Sequence, residues 1–208
     1  MALISTGDIR TWMGIEEGDK KPNPKFEAII PAVQGFCDSY LNRRLEAETY
    51  FQDQRFSYLD GNNERTIFLP QYPVSYVSSV HVDTDRVFDD STKIAEADFY
   101  FYPSGKLITE GSHFVQARRN VLVHYTAGYA PIVGGSHNSA VSTYPIPADL
   151  KQVMVEMCVD SIKEGMTALH SVVGDKSAPT SMIDKNGFWR ETLLKYRAYS
   201  GNMGGIDQ

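Results

Sequence analysis

Histidine side chains are the first candidates for chemistry in this sequence, because histidine can act as a general base or bind a metal near neutral pH. The chain contains five of them, at positions 81, 113, 124, 137 and 170. None stands at His-x-x-x-His or His-x-His spacing, so the pattern predicts no metal site. His124 lies in an apolar run and is the one histidine that we expect to be buried. We interpret it as a packed, hydrogen-bonded residue, because a general base would also need a cleft and an oriented partner.

Acidic and glycine-containing segments offer two further kinds of site. Asp83 and Asp85, followed by Asp89 and Asp90, carry the oxygen ligands that divalent cations prefer, but they match no known cation-binding loop. A solvated turn between strands is the better interpretation. The segment 174–177 departs from a phosphate-binding loop because an aspartate separates its glycine from its lysine, and Gly-x-Ser-x-Gly does not occur. We therefore predict no catalytic residue, no metal and no cofactor.

The net charge of −6 argues against a general nucleic-acid-binding protein, which needs Lys and Arg to neutralise phosphates. Arg43-Arg44 and Arg118-Arg119 are isolated basic pairs, for which we expect ion pairing with acidic groups rather than phosphate contact. An acidic surface would also suit a channel through which DNA slides without sticking. Composition alone does not distinguish that use from simple solubility.

The cysteines and the apolar stretches limit where the protein could reside. Cys37 and Cys158 fall inside helical patterns, so we expect two core residues and no disulfide framework. No basic region followed by an apolar run opens the chain, so no signal peptide is expected. No apolar stretch approaches the ~20 residues of a membrane span, and no membrane partner is predicted.

Helical periodicity is clear at both ends of the chain. A short helix is expected with Thr6 as its N-cap and Gly14 as its stop. A long helix is predicted from about Lys25 to Leu45 and a second strong one from Pro147 to Glu164. A short amphipathic helix is predicted over Phe188–Arg197.

The middle of the chain alternates with the period of β-strands and is punctuated by Gly, Pro and Asn turns. The predicted strands are Thr49–Tyr58, Thr66–Leu69, Val74–Val82, Asp98–Phe101, Lys106–Ile108 and Asn120–Thr126. The last of these is apolar on both faces, as in a strand covered on each side. The predicted class is α+β, with a helical scaffold, an inserted antiparallel β-sheet or small barrel, and a C-terminal helical arm.

Five segments follow from these elements. We predict N-terminal helices over residues 1–47, a β-rich insertion over 48–129, a long loop over 130–146, a helix completing the scaffold over 147–169, and a linker, short aromatic helix and flexible tail over 170–208.

The C-terminal helix is rich in the aromatic and aliphatic anchors that dominate interfaces. Phe188, Trp189, Leu193, Leu194 and Tyr196 lie within nine residues of one another. The pattern allows the helix either to fold back onto its own core or to dock into a partner, and both alternatives stay open at this point.

Six short motifs occur in a recognisable order. They are Leu3–Ile9 with Trp12–Ile15, Tyr40–Leu45, Leu69-Pro70 with Tyr72–Val80, Val121–Tyr129, Pro147–Leu150, and Leu193–Arg197. In this order and spacing the chain resembles the head–tail connector (adaptor or head-completion) proteins of tailed bacteriophages and prophages. The resemblance covers most of the chain. It departs from the family in the aromatic stretch Phe99–Tyr102 and in the long loop Ala130–Tyr144.

The resemblance implies a non-enzymatic structural protein of the virion neck, assembled in the cytoplasm of the bacterial host. It implies a homo-oligomeric ring, commonly twelvefold, that docks on the portal protein and joins it to the next neck component, a stopper or a tail terminator or tail tube. Genomic DNA would pass through the lumen without sequence-specific binding.

The same resemblance suggests two sets of contact residues. The C-terminal segment would dock on the portal, with Trp189 and Leu193 buried in it; the full set is Phe188, Trp189, Leu193, Leu194, Tyr196 and Arg197. The long loop would contact neighbouring copies or the next component through Ile132, Val133, His137, Asn138 and Tyr144.

Two other functions are compatible with the residues. The tyrosine-rich strands could form the surface of another neck or baseplate protein or of a module that binds a host surface. A small hydrolase with His124 as its base is the enzymatic alternative.

Overall fold

Four α-helices and nine β-strands follow one another in the residues that the computed structural model describes, which are 3–15, 24–51, 55–130, 144–163 and 186–197. The class is α+β, as predicted. The chain divides into two compact units. The helical unit combines Met1–Glu46 with Pro145–Ala198, and the β unit consists chiefly of Ala47–Tyr129. None of the described helices is both long enough and apolar enough to cross a membrane.

Helix α1 spans Thr6–Trp12, and its N-cap is Ser5 rather than the predicted Thr6. The Ser5 hydroxyl accepts a hydrogen bond from the backbone N–H of Asp8 at 3.2 Å. The Asp8 carboxylate in return accepts the backbone N–H of Ser5 at 2.8 Å. This reciprocal capping box requires an acidic or amide side chain three residues after the cap, and Asp8 stands at that distance from Ser5. The predicted stop is correct, since Gly14 adopts a φ of +68° just after the helix.

Helix α2 spans Pro24–Leu41 and is shorter than predicted at its C-terminal end. It stops where Asn42 adopts a left-handed φ of +53°. The following turn is fixed by the Asp38 carboxylate, which accepts the backbone N–H of Leu45 at 2.9 Å. The apolar side of α2 is buried along the helix, at Phe26, Ile29, Ile30, Val33, Cys37 and Leu41.

Helix α3 spans Ala148–Lys163 and lies at the centre of the helical unit, where it contacts α1, α2 and the next helix that the structure describes. Helix α4 spans Gly187–Lys195. Because α3 has neighbours on several sides, its buried residues extend beyond a single stripe; they are Leu150, Val153, Met154, Val155, Met157, Cys158, Val159 and Ser161. An ion pair of 2.7 Å between Lys151 and Asp8 ties α3 to the first turn of α1.

The larger sheet of the β unit is organised around β7 (Ala117–Ala127), which pairs antiparallel with three strands. One edge of β7 pairs with β4 (Val74–Val82). The other edge pairs with β1 (Glu48–Tyr50) and then with β2 (Tyr58–Gly61), which lie end to end along it. The predicted strand Thr49–Tyr58 is therefore wrong as a single element, because the chain leaves the sheet after Tyr50 and returns at Tyr58.

The smaller sheet has the order β3-β6-β5 and is also antiparallel. Its strands are β3 (Thr66–Phe68), β5 (Phe99–Phe101) and β6 (Lys106–Thr109). Residues of both sheets share one apolar core, with Val80, Val123 and Tyr125 from the larger sheet and Phe99 and Leu107 from the smaller. A further pair, β8 (Tyr129–Ala130) with β9 (Tyr144–Pro145), is two residues long. The described strands form these open sheets and not a closed barrel.

A buried asparagine holds the start of β7 in place. Asn120 is fully buried, and its amide oxygen accepts the backbone N–H of Gly61 at 2.9 Å. Its amide nitrogen donates to the carbonyl oxygen of Val115 at 2.8 Å. A side chain at position 61 would place its Cβ only 1.9 Å from that carbonyl oxygen. Glycine is required here by the close approach of two backbones.

Candidate interaction site

Helix α4 is fixed to α3 by hydrogen bonds at both of its ends. Near the start of α4, the indole N–H of Trp189 donates to the carboxylate of Glu156 at 2.7 Å. Just after the end of α4, the phenol of Tyr196 donates to the carboxylate of Asp149 at 2.6 Å. Asp149 and Glu156 are about two helical turns apart, so they lie on the same face of α3. Hydrogen bonds from neutral donors to carboxylates are stronger than those between neutral groups.

The inner face of α4 is buried in the helical unit. Trp189 is 3% exposed and Leu193 is fully buried, with Thr192 beside them. The side chain of Asn186 caps the helix by accepting the backbone N–H of Phe188 at 3.1 Å. The sequence left two alternatives open for this helix, docking into a partner or folding back onto the chain's own core. The inner face of α4 is folded back onto the core.

The outer face of α4 carries apolar side chains that remain in solvent. Phe188 is 48% exposed and Leu194 is 43% exposed. Arg197, just beyond the helix, is also exposed. The six residues predicted at this site therefore divide into an inner group of Trp189, Leu193 and Tyr196 and an outer group of Phe188, Leu194 and Arg197. Periodicity alone could not make this division, because apolar residues occur on both faces.

The second predicted set lies almost wholly outside the described residues. Four of its residues, Ile132, Val133, His137 and Asn138, belong to the segment 131–143, and their predicted contacts stay predictions. Tyr144 is half-buried in β9.

His124, the histidine that the sequence predicted to be buried, is more exposed than His81 on the adjacent strand. His124 is half-buried, whereas His81 on β4 is 8% exposed. A segment after β4 covers His81 and brings the carbonyl oxygen of Asp89 to 3.3 Å from its Nδ1. Sequence reasoning missed His81 because that cover comes from the path of the chain and not from the strand pattern.

Among the described residues, His124 has no third group that would orient it as a catalytic base. Its Nδ1 lies 3.1 Å from the hydroxyl of Ser79, while its Nε2 is buried and has no hydrogen-bond partner among the described residues. A serine–histidine pair needs a third group to orient the imidazole. Burial, followed by the nearby His81 and Lys93, lowers the pKa of His124 below its usual value. We interpret the pair as a cross-strand hydrogen bond on a neutral histidine.

Two residues of the acidic pairs, Asp83 and Asp89, stabilise turns by accepting backbone hydrogen bonds. The Asp83 carboxylate accepts the backbone N–H groups of Asp85, Val87 and Phe88 at 2.9, 2.7 and 3.0 Å. These bonds lower the pKa of Asp83. Asp89 caps a short 3-10 helix by accepting from Ser91, which also lowers its pKa. Among the described residues there is no group of three or more His, Cys, Asp or Glu that could hold a metal ion.

The cysteines lie in the core, as predicted. Cys37 and Cys158 are both buried and form no disulfide. Burial raises the pKa of the Cys37 thiol, and it raises that of Cys158 to about 12. Both are therefore neutral, unreactive thiols near neutral pH.

The arginines of the two basic pairs lie in different surroundings. Arg43 is buried, at 2% exposure. Arg119 is half-buried, with its guanidinium 5.4 Å from the centre of the Tyr58 ring. The side chain of Arg118 is exposed and forms no ion pair with the residues that the structure describes, so its expected ion pairing stays a prediction.

The sequence of this chain matches a known protein family. A model of the family described as head completion protein matches residues 2–160. The chain belongs to the head completion protein family. This confirms the resemblance seen in the sequence and makes the chain a structural protein of the phage head–tail region.

The solved structures similar to this chain include two from the necks of GTA particles. A chain of the "Neck of empty GTA particle computed with C6 symmetry" has a TM-score of 0.57 and 14% identity, covering 99% of this chain and 94% of that one. A chain of the "Neck of native GTA particle computed with C12 symmetry" has a TM-score of 0.48 and 14% identity, covering 86% of each. At this identity the first likeness shows a shared fold. A search of curated proteins gave no significant match.

Proposed function

We propose that this head completion protein is a ring-forming adaptor between the portal and the tail. In this function it docks on the portal protein, extends the DNA channel, and presents a surface to the next neck component, a stopper or a tail terminator or tail tube. The ring is homo-oligomeric and twelvefold, the DNA passes without sequence-specific contact, and the protein assembles in the bacterial host cytoplasm before it joins the virion neck. The net charge of −6 supports a lumen that does not retain DNA.

The observation that carries the portal contact is the two-faced helix α4. One face is anchored through Trp189 and Leu193, and the opposite face exposes Phe188 and Leu194. A helix whose inner face is already fixed loses little conformational freedom when its outer face binds, so a small apolar surface is sufficient for recognition. We therefore propose Phe188 and Leu194 as the portal-contacting residues, with Arg197 at the rim. Trp189, Leu193 and Tyr196 would position them.

The experiment is a portal-binding assay with two variants, one at the proposed contact and one control. Phe188→Ser with Leu194→Ser removes the exposed apolar pair and should abolish binding while the protein stays folded. Trp12→Ser is the control, because Trp12 is 50% exposed on a different helix. It should bind the portal like the wild type. Portal binding by the Phe188/Leu194 variant at wild-type affinity would exclude α4 as the docking element.

Ring formation is tested separately by electron microscopy of the purified protein, alone and mixed with the portal protein from the same genome. A ring on the tail-facing end of the portal would support the adaptor function and give the symmetry. If two well-folded proteins formed neither a ring nor a complex, the adaptor function would be wrong, and binding to host-surface ligands would be the next hypothesis to test.

A further inference from the structure

The two hydrogen bonds that join α4 to α3 have the same spacing on both helices. Trp189 donates to Glu156 at 2.7 Å, and Tyr196 donates to Asp149 at 2.6 Å. On each helix the two bonded residues are seven positions apart, which is about two turns or about 10 Å of helix axis. The earlier residue of α4 bonds the later residue of α3, so the helices run antiparallel at this contact. Two such bonds together fix both the rotation of α4 and its position along α3.

The two accepting carboxylates are held in place by α3 itself. One carboxylate oxygen of Glu156 accepts from the side-chain amide of Gln152 at 2.9 Å, and the other accepts the indole N–H. The Asp149 oxygen that accepts the phenol also accepts the backbone N–H of Leu150 at 2.9 Å. Both acceptors are therefore oriented by their own helix, and they can serve as fixed reference points for α4.

Apolar burial alone selects the rotation of α4 only weakly. The helix carries two pairs of adjacent apolar residues, Phe188-Trp189 and Leu193-Leu194, and one member of each pair is buried while the other is exposed. Adjacent residues on a helix point about 100° apart. Rotation of α4 towards Phe188 would bury that ring and expose Leu193, and the opposite rotation would bury Leu194 and expose Trp189. Because the hydrophobic effect has no direction and follows the buried area, these arrangements are close competitors.

We propose that Asp149 and Glu156 are positioning residues, which set the register of α4 on α3 and thereby decide which of its side chains face the portal. This role rests on the proposed function, since it takes the outer face of α4 as the portal contact. Leaving the observed register would separate Trp189 and Tyr196 from their acceptors and leave partly buried polar groups unpaired. A polar contact of this kind selects one packing arrangement over its neighbours even where it adds little net stability.

The test removes both hydrogen bonds while leaving neither partner unpaired. A fourfold variant replaces donors and acceptors together by apolar groups; its changes are Glu156→Met, Trp189→Phe, Asp149→Leu and Tyr196→Phe. Replacing both partners by apolar groups of similar shape is close to neutral for stability. We therefore expect the variant to keep its helix content by circular dichroism and most of its resistance to urea.

The register of α4 is measured by thiol labelling in the absence of any partner. Thr192 is 1% exposed on the inner face, so Thr192→Cys places a probe there. Lys195 is seven residues after Phe188 and Arg190 is four residues before Leu194, so cysteines at 195 and 190 probe the two sides that would turn inward. The native Cys37 and Cys158 are buried, which leaves the introduced thiol as the one that reacts.

The labelling rates distinguish a change of register from simple loosening of the helix. In the fourfold background the probe at 192 should react about tenfold faster or more, as other registers become populated. At least one of the probes at 190 and 195 should react more slowly than in the wild-type background, because its side of α4 turns inward. Faster labelling at 192 with no slowing at either outer probe would show that the bonds only hold the helix in place, and would overturn the proposal.

Two further variants serve as controls. Lys151→Met removes the 2.7 Å ion pair between α3 and Asp8 on a different helix, and it should change neither the labelling of α4 nor portal binding. Glu156→Gln with Asp149→Asn keeps an accepting oxygen at both sites, so the probe at 192 should stay protected. Loss of its protection in this conservative variant would contradict a role based on hydrogen-bond geometry.

Portal binding is then measured on the same proteins. The fourfold variant should bind the portal about tenfold more weakly or worse although it is folded. Wild-type affinity in a variant whose register has changed would overturn the positioning role. If the wild type itself bound no portal while the labelling changed as expected, the adaptor function would fail and the control of register would stand. Should the fourfold variant not fold, Asp149→Leu with Tyr196→Phe replaces it, and unchanged labelling in that pair would equally overturn the proposal.

Discussion

The indole of Trp189 and the carboxylate of Glu156 form a 2.7 Å hydrogen bond that joins α4 to α3. Because of this contact, the inner face of α4 is fixed against α3, and its outer face is exposed. Glu156 also accepts a hydrogen bond from Gln152 at 2.9 Å, so its carboxylate is oriented by its own helix before it receives the indole. Packing and hydrogen bonding at this contact can be separated by mutation.

Replacing Trp189 by alanine should lower the free energy of unfolding by about 3 to 5 kcal/mol, because a buried aromatic side chain leaves a cavity. Trp189→Phe keeps most of the packing and loses the hydrogen bond, which should cost about 1 to 3 kcal/mol. Both values can be measured by denaturant unfolding monitored by circular dichroism. Equal losses in the two variants would show that the hydrogen bond, and not the packing, holds α4 on α3.

Two glycine-to-alanine substitutions should have opposite effects. Gly61→Ala should destabilise the protein by at least about 1 to 3 kcal/mol, the usual cost of overpacking, since its Cβ would lie 1.9 Å from the Val115 carbonyl oxygen. Gly35→Ala, in the middle of α2 with open space around the added methyl, should stabilise it by about 0.5 to 1 kcal/mol. Thermal unfolding compares them directly. A neutral Gly61→Ala would mean that the two backbones can move apart without loss.

The N-cap of α1 is tested by substitutions at adjacent residues. Ser5→Ala removes the oxygen that accepts the Asp8 N–H and should cost about 1 kcal/mol. Thr6→Ala changes a residue inside the first turn and should have a much smaller effect, since alanine is favoured in helices. If Thr6→Ala were the more harmful change in a urea titration, Thr6 and not Ser5 would be the cap.

Stability should depend on pH through His124. Its folded pKa lies below the unfolded value of 6.5, so the unfolded state binds a proton more readily. The stabilising contribution is therefore complete above pH 6.5 and is lost as the pH falls through 6.5 towards the folded pKa. His124→Gln should reduce the slope of the free energy of unfolding against pH in this window, as measured by urea titrations at a series of pH values. An unchanged slope in His124→Gln would show that another group dominates the window.

Much of the helical unit could be predicted from periodicity. The spacing of three and four residues from Phe26 to Leu41 identifies the buried face of α2, because a helix repeats every 3.6 residues. Residues that depend on neighbours distant in sequence could not be assigned in this way. Phe188 and Trp189 are adjacent and both aromatic, yet one faces solvent and the other faces Glu156, and only the position of α3 decides which.

The β unit was predicted in its strand content but not in its pairing. The predicted bounds of β4 are correct, but its residues do not alternate strictly, because register shifts between Val74 and Tyr76 and between Val77 and Ser79 place the core residues Val74, Val77 and Val80 three apart. The break between β1 and β2 was missed because Phe56 continues the apolar pattern while lying outside both strands, where it packs edge-on against Tyr50. An apolar residue in a loop that reaches the core has the same local signature as a strand residue.

The pairing of β7 has a consequence for biosynthesis. Among the described strands of the larger sheet, β1, β2 and β4 each pair with β7, and β7 follows all three in the sequence. As the ribosome releases the chain from its N-terminus, these three strands emerge before their shared partner exists. Their apolar residues must remain unpaired until residue 127 has left the exit tunnel, after which the sheet can close in a single late step. A nascent chain stopped before β7 is therefore the species on which chaperones would act.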